Sequence, residues 1–214
     1  MQAAFFDVEV RLRDLWTRVA KHCAAFELVL PGSPSFVCQA AACPVHCCKV
    51  FGIVPVSDDE LQRLSRFSDL EPLELLETRD GHPLVLPELP SNRPYHLSRT
   101  ADGACALLGD DLFCSQYEGR PDACRVYPHY VFFFDSASER PAIAESPEQR
   151  EAMERLVSGG GGPGDQELLP VLLRHGACPG FTGPALGREE WLALVQATFQ
   201  LQYEPAREQR NPAG

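Results

Sequence analysis

Apolar residues recur every three or four positions over residues 4–23. Phe5, Val8, Leu12, Leu15, Trp16, Val19 and Cys23 form one stripe, which predicts an amphipathic helix. Cys23 lies on that stripe and reads as a buried core thiol. Pro31, Gly32 and Pro34 end the segment. Residues 50–56 are β-branched and aromatic, the signature of a short buried strand. Ser57-Asp58-Asp59-Glu60 is a capping box, and Leu61, Leu64 and Phe67 behind it predict a helix. Residues 70–94 are acidic and broken by prolines, which predicts a surface-wrapping segment with a short helix near 73–77.

Further along, strand and turn signals alternate. Residues 95–99, 105–108 and 112–114 read as strands, with turns at Ala101-Asp102-Gly103 and at Gly109-Asp110-Asp111. Residues 120–125 read as one helical turn with proline at its start. Residues 131–134 predict an apolar strand, 147–157 a helix, 166–174 a short helix and 188–203 a closing amphipathic helix. The expected fold is α+β and loop-rich. A small antiparallel meander and metal-binding loops pack with several helices in a single domain over 1–214. Within it, 1–30 is the N-terminal helix, 38–183 the cysteine-bearing core, 188–203 the closing helix and 204–214 a frayed tail.

Composition narrows the chemistry. The chain has 214 residues, with 19 basic and 30 acidic side chains giving a net charge of −11. An acidic chain without a basic block is a poor partner for phosphate backbones or anionic membranes. No run of 18 or more apolar residues exists, and the first residues show no secretory pattern. The expectation is a cytoplasmic protein that uses neither nucleic acid nor membrane, with a protein partner or substrate left open. Gly159–Gly162 are followed by no GK[ST], so a phosphate cradle is not indicated. No H-x3-H, HExxH or G-x-S-x-G is present. His129 and His175 are candidate acid–base groups by their closeness in sequence to cysteines.

Nine cysteines are the anomaly. In a reducing compartment, clustered thiols are metal ligands or redox groups rather than disulfides. Setting Cys23 aside leaves Cys38, Cys43, Cys47, Cys48, Cys105, Cys114, Cys124 and Cys178, enough for two sets of four. Cys38-x4-Cys43-x3-Cys47 places three sulfurs on one tight segment. Cys47 and Cys48 are adjacent and diverge by roughly 100° in a helix, so both can ligate one metal only on an irregular backbone. Cys48, if not a ligand, is a candidate nucleophile. Cys105 and Cys114 lie on neighbouring strands of the expected meander, and Cys178 arrives from far along the chain. Four thiolates around one Zn²⁺ leave a formal charge of −2, which needs compensation. Arg120 and Arg125 bracket Cys124 and are read as donors to its sulfur, and so as cofactor-binding residues.

The motifs Arg99-Thr-Ala-Asp-Gly103-Ala-Cys105, Cys114-Ser-Gln-Tyr-Glu-Gly-Arg120-Pro121-Asp-Ala-Cys124-Arg125-Val-Tyr-Pro128 and Cys178-Pro-Gly-Phe-Thr-Gly183, with the Cys47–Cys48 pair, resemble the YkgJ-type cysteine-cluster proteins. The likeness runs from about Cys38 to Gly183. It implies a zinc- or iron-chelating domain whose eight characteristic cysteines all have counterparts here. The family's first block is the tighter C-x-x-C-x-x-C-C, and the looser spacing here adds His46 as a substitute donor. The cysteine region is also similar to that of the flagellin lysine N-methylases, which implies an iron–sulfur cluster, [4Fe–4S] being one candidate, with zinc as the alternative. The resemblance carries no methylase activity over, and no motif for S-adenosylmethionine is present.

Overall fold

The computed structural model describes residues 2–39, 42, 43, 46–49, 53–86, 93–142, 147–158 and 168–203, with only the backbone for 2–7 and 46. In chain order the elements are α1 (Gln2–Val19), β1 (Phe26–Leu28), α2 (His46–Lys49), β2 (Pro55–Val56) and α3 (Asp58–Ser68). There follow β3 (Thr78–Arg79), β4 (His82–Pro83), β5 (Tyr95–His96), α4 (Asp122–Val126) and β6 (His129–Asp135). The last are β7 (Pro141–Ala142), α5 (Pro147–Ser158), β8 (Leu168–His175) and α6 (Arg188–Tyr203). The class is α+β, and the chain divides into two compact units, one over 1–37 with 128–204 and the other over 38–127 with 205–214. The span 38–183 is thereby shared: seven cysteines from Cys38 to Cys124 fall in the second unit, Cys23 and Cys178 in the first.

The first unit is built on a four-stranded antiparallel sheet in the order β1-β8-β6-β7. Among the described side chains of α1, Val8, Leu12, Leu15 and Val19 are buried and Trp16 is half-buried, which follows the stripe read from sequence; the side chain of Phe5 lies outside the described residues. Cys23 is buried in the same core, as expected of a core thiol. Trp191 of α6 is fully buried, and its indole Nε1–H donates to Val29 O at 2.8 Å. That bond meets the condition under which a tryptophan can be buried whole.

One expected element differs in the structure. Residues 166–174 read as a short helix, whereas Leu168–His175 form the inner strand β8, flanked on both sides. A short apolar run has no diagnostic period when both faces are buried, and Val171, Leu172 and Leu173 are all fully buried. Pro170, which favours neither a helix interior nor a ladder, sits opposite Phe133. Strand β1 was not read at all, being three residues long between a 3₁₀ turn (Ala20–His22) and Pro31.

The second unit has a smaller core: Val54, Val56, Leu61, Leu64, Leu75, Leu76, Leu97 and Leu107. Helix α3 starts at the predicted capping box. The Glu60 N–H donates to Ser57 Oγ at 3.2 Å, and the Ser57 N–H donates to Glu60 Oε2 at 2.9 Å. The short helix near 73–77 is a 3₁₀ turn, Pro72–Leu75. The expected meander is mostly reduced to single bridges. Residues 95 and 96 form β5 against β2, and beyond them the described residues show the single bridges Leu76↔Leu97, Arg99↔Cys105 and Leu108↔Cys114. The turns leave too few residues for ladders: Gly103 (φ 84) closes one, and Leu112 adopts the left-handed φ of 66° in the next. Of the expected strand 50–56, only Pro55–Val56 is a strand, and 50–52 lie outside the described residues. The tail 204–214 lies outside them as well. No helix among the described residues is long and apolar enough to cross a membrane.

Candidate metal centre

Three segments of the second unit bring thiols together. Helix α2 carries Cys47 and Cys48; the bridged turns carry Cys105 and Cys114; α4 carries Cys124. Cys105, Cys114 and Cys124 pack against the apolar core, which fixes their backbone. The Cys105 N–H donates to Cys48 O at 2.8 Å, joining the first two segments directly. Arg99 closes the turn before Cys105 by donating to Gly103 O.

Adjacent helical residues diverge at the backbone, yet the Sγ atoms of Cys47 and Cys48 lie 3.6 Å apart. Rotation about Cα–Cβ has turned the two sulfurs toward each other. The spacing matches the edge of a tetrahedron of sulfurs at the Zn–S distance, about 3.8 Å. All five donors are soft sulfur, the ligand type that zinc and iron–sulfur clusters take. Among the described residues no three His, Cys, Asp or Glu side chains converge on one metal-holding point.

The electrostatics tie the five into one group. The hydrogen bond from Cys48 lowers the Cys47 pKa to about 7, and Arg120 helps against the cost of burial. The same bond raises the Cys48 value, as do burial and the nearby Cys47, Cys105 and Cys124. Burial raises Cys105, with repulsion from Cys114 and Cys47 added. Burial also raises Cys114, while Arg120 pulls the other way. Cys124 is pushed up to about 12 by burial first and then by Cys105, Cys114 and Cys47, again opposed by Arg120. The Cys47–Cys48 pair, which shares one hydrogen bond, is thus the readiest of these five thiols to give up a proton.

Arg120 and Arg125 divide the work expected of both. The Arg120 guanidinium sits 3.7 Å over the Tyr117 ring centroid and favours thiolate at Cys47, Cys114 and Cys124. Arg125 points instead to backbone, donating to Arg120 O at 3.1 Å and Glu118 O at 2.8 Å. Of the remaining predicted donors, Cys38 is exposed and Cys43 half-buried on the segment entering α2, and Cys178 is buried in the first unit. The His46 side chain lies outside the described residues. His129, also in the first unit, is buried between the rings of Phe36 and Phe181. Desolvation, then Arg174, lowers its pKa to about 4, so it is a neutral imidazole at pH 7.

Sequence reasoning missed one group beside the thiols. Glu60, Arg93 and Asp122 are all buried. Arg93 Nε donates to Glu60 Oε2 at 3.0 Å, the Asp122 N–H donates to Glu60 Oε1 at 2.8 Å, and Arg93 Nη2 lies 3.6 Å from Asp122 Oδ2. Arg63 Nη2 donates to Asp122 Oδ1 at 2.7 Å and to Arg120 O at 3.1 Å. The acid in the capping box is the available signal, but its local pattern points only to a helix start.

A family model described as "Putative zinc- or iron-chelating domain", with the signature CxxCxxCC, matches residues 37–155. The match takes in seven of the cysteines, from Cys38 to Cys124, and ends before Cys178. No curated protein and no solved structure gave a match.

Proposed function

The chain belongs to the CxxCxxCC family of zinc- or iron-chelating domains, and from that premise we propose that it holds an iron–sulfur cluster with a redox or group-transfer role. Cys47, Cys48, Cys105, Cys114 and Cys124 supply the ligands, with Cys38, Cys43 and Cys178 as the remaining candidates. The observation that carries the reading is geometric: the Cys47 and Cys48 sulfurs lie 3.6 Å apart, the Cys105 N–H donates to Cys48 O at 2.8 Å, and Cys105, Cys114 and Cys124 pack on one core. A zinc ion or a cubane cluster takes four sulfurs. When bound, the cluster supplies one-electron chemistry at a potential tuned by hydrogen bonds and burial. The chain's own residues do the rest. The Cys47–Cys48 pair ionises first, Arg120 offsets the accumulating negative charge, and the apolar core behind Cys105 and Cys124 keeps water from one side.

One observation favours the second reading, a structural zinc site in a protein-interaction module. Among the described residues the core of the second unit is eight buried apolar side chains, and small cores are often completed by a metal. Metal and sulfide analysis of protein purified without oxygen separates the two. Iron, acid-labile sulfide and a broad band near ~400 nm are the expected result. Stoichiometric zinc in a colourless, sulfide-free sample would overturn the cluster and the redox role with it.

A further inference from the structure

We propose that the buried network of Glu60, Arg63, Arg93 and Asp122 is a positioning device for the thiol centre, holding the loop that carries Arg120 and Cys124 in register with Cys47 and Cys48. The inference rests on the metal-binding reading above. Its starting point is a physical oddity. Burying charged groups takes them out of water at a cost that their attraction barely repays, and apolar replacements are often as stable. A network this buried is therefore poorly explained by stability alone. Where such networks persist, geometric specificity is the role to test.

The geometry says what is being specified. Glu60 does two things at once. Oε2 completes the capping box that starts α3, and Oε1 accepts the N–H of Asp122, the first residue of α4. One carboxylate thus joins the starts of two helices, and Cys124 lies two residues beyond Asp122. Arg63, one turn along α3, holds the backbone carbonyl of Arg120 and the carboxylate of Asp122 together. Arg93 then bridges both carboxylates from a third segment. The loop between Arg120 and Cys124 is consequently fixed at its backbone and at Asp122, while the Arg120 guanidinium and Cys124 sulfur are left to act on the other thiols. Polar partners one shell removed from a metal commonly set its affinity within a factor of 10–100.

The test uses Glu60→Gln, with the milder Arg63→Gln as a second variant because Arg63 is partly exposed and its loss is less disruptive to folding. Two readouts are taken on the full chain. The first is the rate at which a chelator strips metal from protein loaded with it as purified. The second is residue-resolved alkylation of the metal-free protein, with Cys105 and Cys114, on the same core but outside the network, as internal reference. Faster metal release by about tenfold or more and faster alkylation at Cys124, with Cys105 and Cys114 unchanged, are expected. Equal acceleration at all three thiols would mean destabilisation of the whole unit and overturn the inference, as would unchanged release and alkylation in both variants. If wild-type protein binds no metal, the metal-binding reading fails, whereas a metal-binding wild type with unaffected variants sinks only the positioning role.

Discussion

Leu64 is the place to test whether the small core of the second unit carries the thiol segments. Its side chain is fully buried among Val54, Leu61, Leu75, Leu97 and their neighbours, and Cys105, Cys114 and Cys124 pack against the same cluster. Leu64→Ala removes apolar contacts and leaves a cavity, because α3 is pinned at its start by the Ser57–Glu60 box and cannot slide in to fill it. Such changes in packed cores cost about 3–5 kcal/mol. Taking the lower end, at about 1.4 kcal/mol per decade, the opening equilibrium of this unit rises by roughly a hundredfold. Native-state hydrogen exchange reads it directly. Amides of α3 should exchange about a hundred times faster in the metal-free variant, by the same conversion. Amides of β6 and β8, whose core is built around Trp191 and Val171, serve as the reference and should be unaffected. An acceleration below about tenfold in α3 would show that the site collapses freely or that the core is not cooperative. An equal acceleration in β8 would show that the two cores do not behave as separate units.

Cys124→Ser should lose metal and solubility together, because ligation energy is also folding energy, and Cys23→Ala should leave metal stoichiometry unchanged; elemental analysis of the purified variants reads both. Arg120→Met should raise the ionisation of Cys47, Cys114 and Cys124 to higher pH and weaken metal uptake at pH 7, whereas Arg125→Met, which touches only carbonyls, should leave thiol titration unmoved; absorbance of the thiolate against pH distinguishes them. Because the folded protein holds Cys105, Cys114 and Cys124 above the ordinary thiol value, the unfolded chain gives up those protons first. Stability of the metal-free protein should therefore fall as pH rises from about 8.5 toward 12, while metal uptake, which expels protons, strengthens over the same range. Denaturant melts at several pH values would contradict this if metal-free stability rose above pH 9.

What could be read from sequence follows the range of the interactions involved. The α1 stripe, the capping box and the proline-led turn before Cys124 each depend on residues within about four positions of one another, and each appears where its signal lies. Residues 168–175 failed because their local signal is ambiguous. A strand flanked on both sides and a short buried helix bury the same leucines, and only pairing with β1 and β6, far away in sequence, decides between them. The cysteines divide in the same way. Their chemistry was legible from type and count, and so was the need for a countercharge near Cys124. That Cys47 and Cys48 would be joined to the Cys105 segment was not, since more than fifty residues separate them and both must first be packed in one unit.

Glu60 shows the principle most sharply. Its contact with Ser57 is three residues long and was read at once, but its contact with the Asp122 N–H spans 62 residues and left no mark in the local pattern. The same carboxylate therefore looked like a helix cap and is also the tie between α3 and the Cys124 loop. A polar residue placed by one rule can be retained by another, and the second rule shows only when both oxygens are accounted for. In a chain whose thiols must be brought together from three segments, the unexplained oxygen of an ordinary cap is where the organising contact is found.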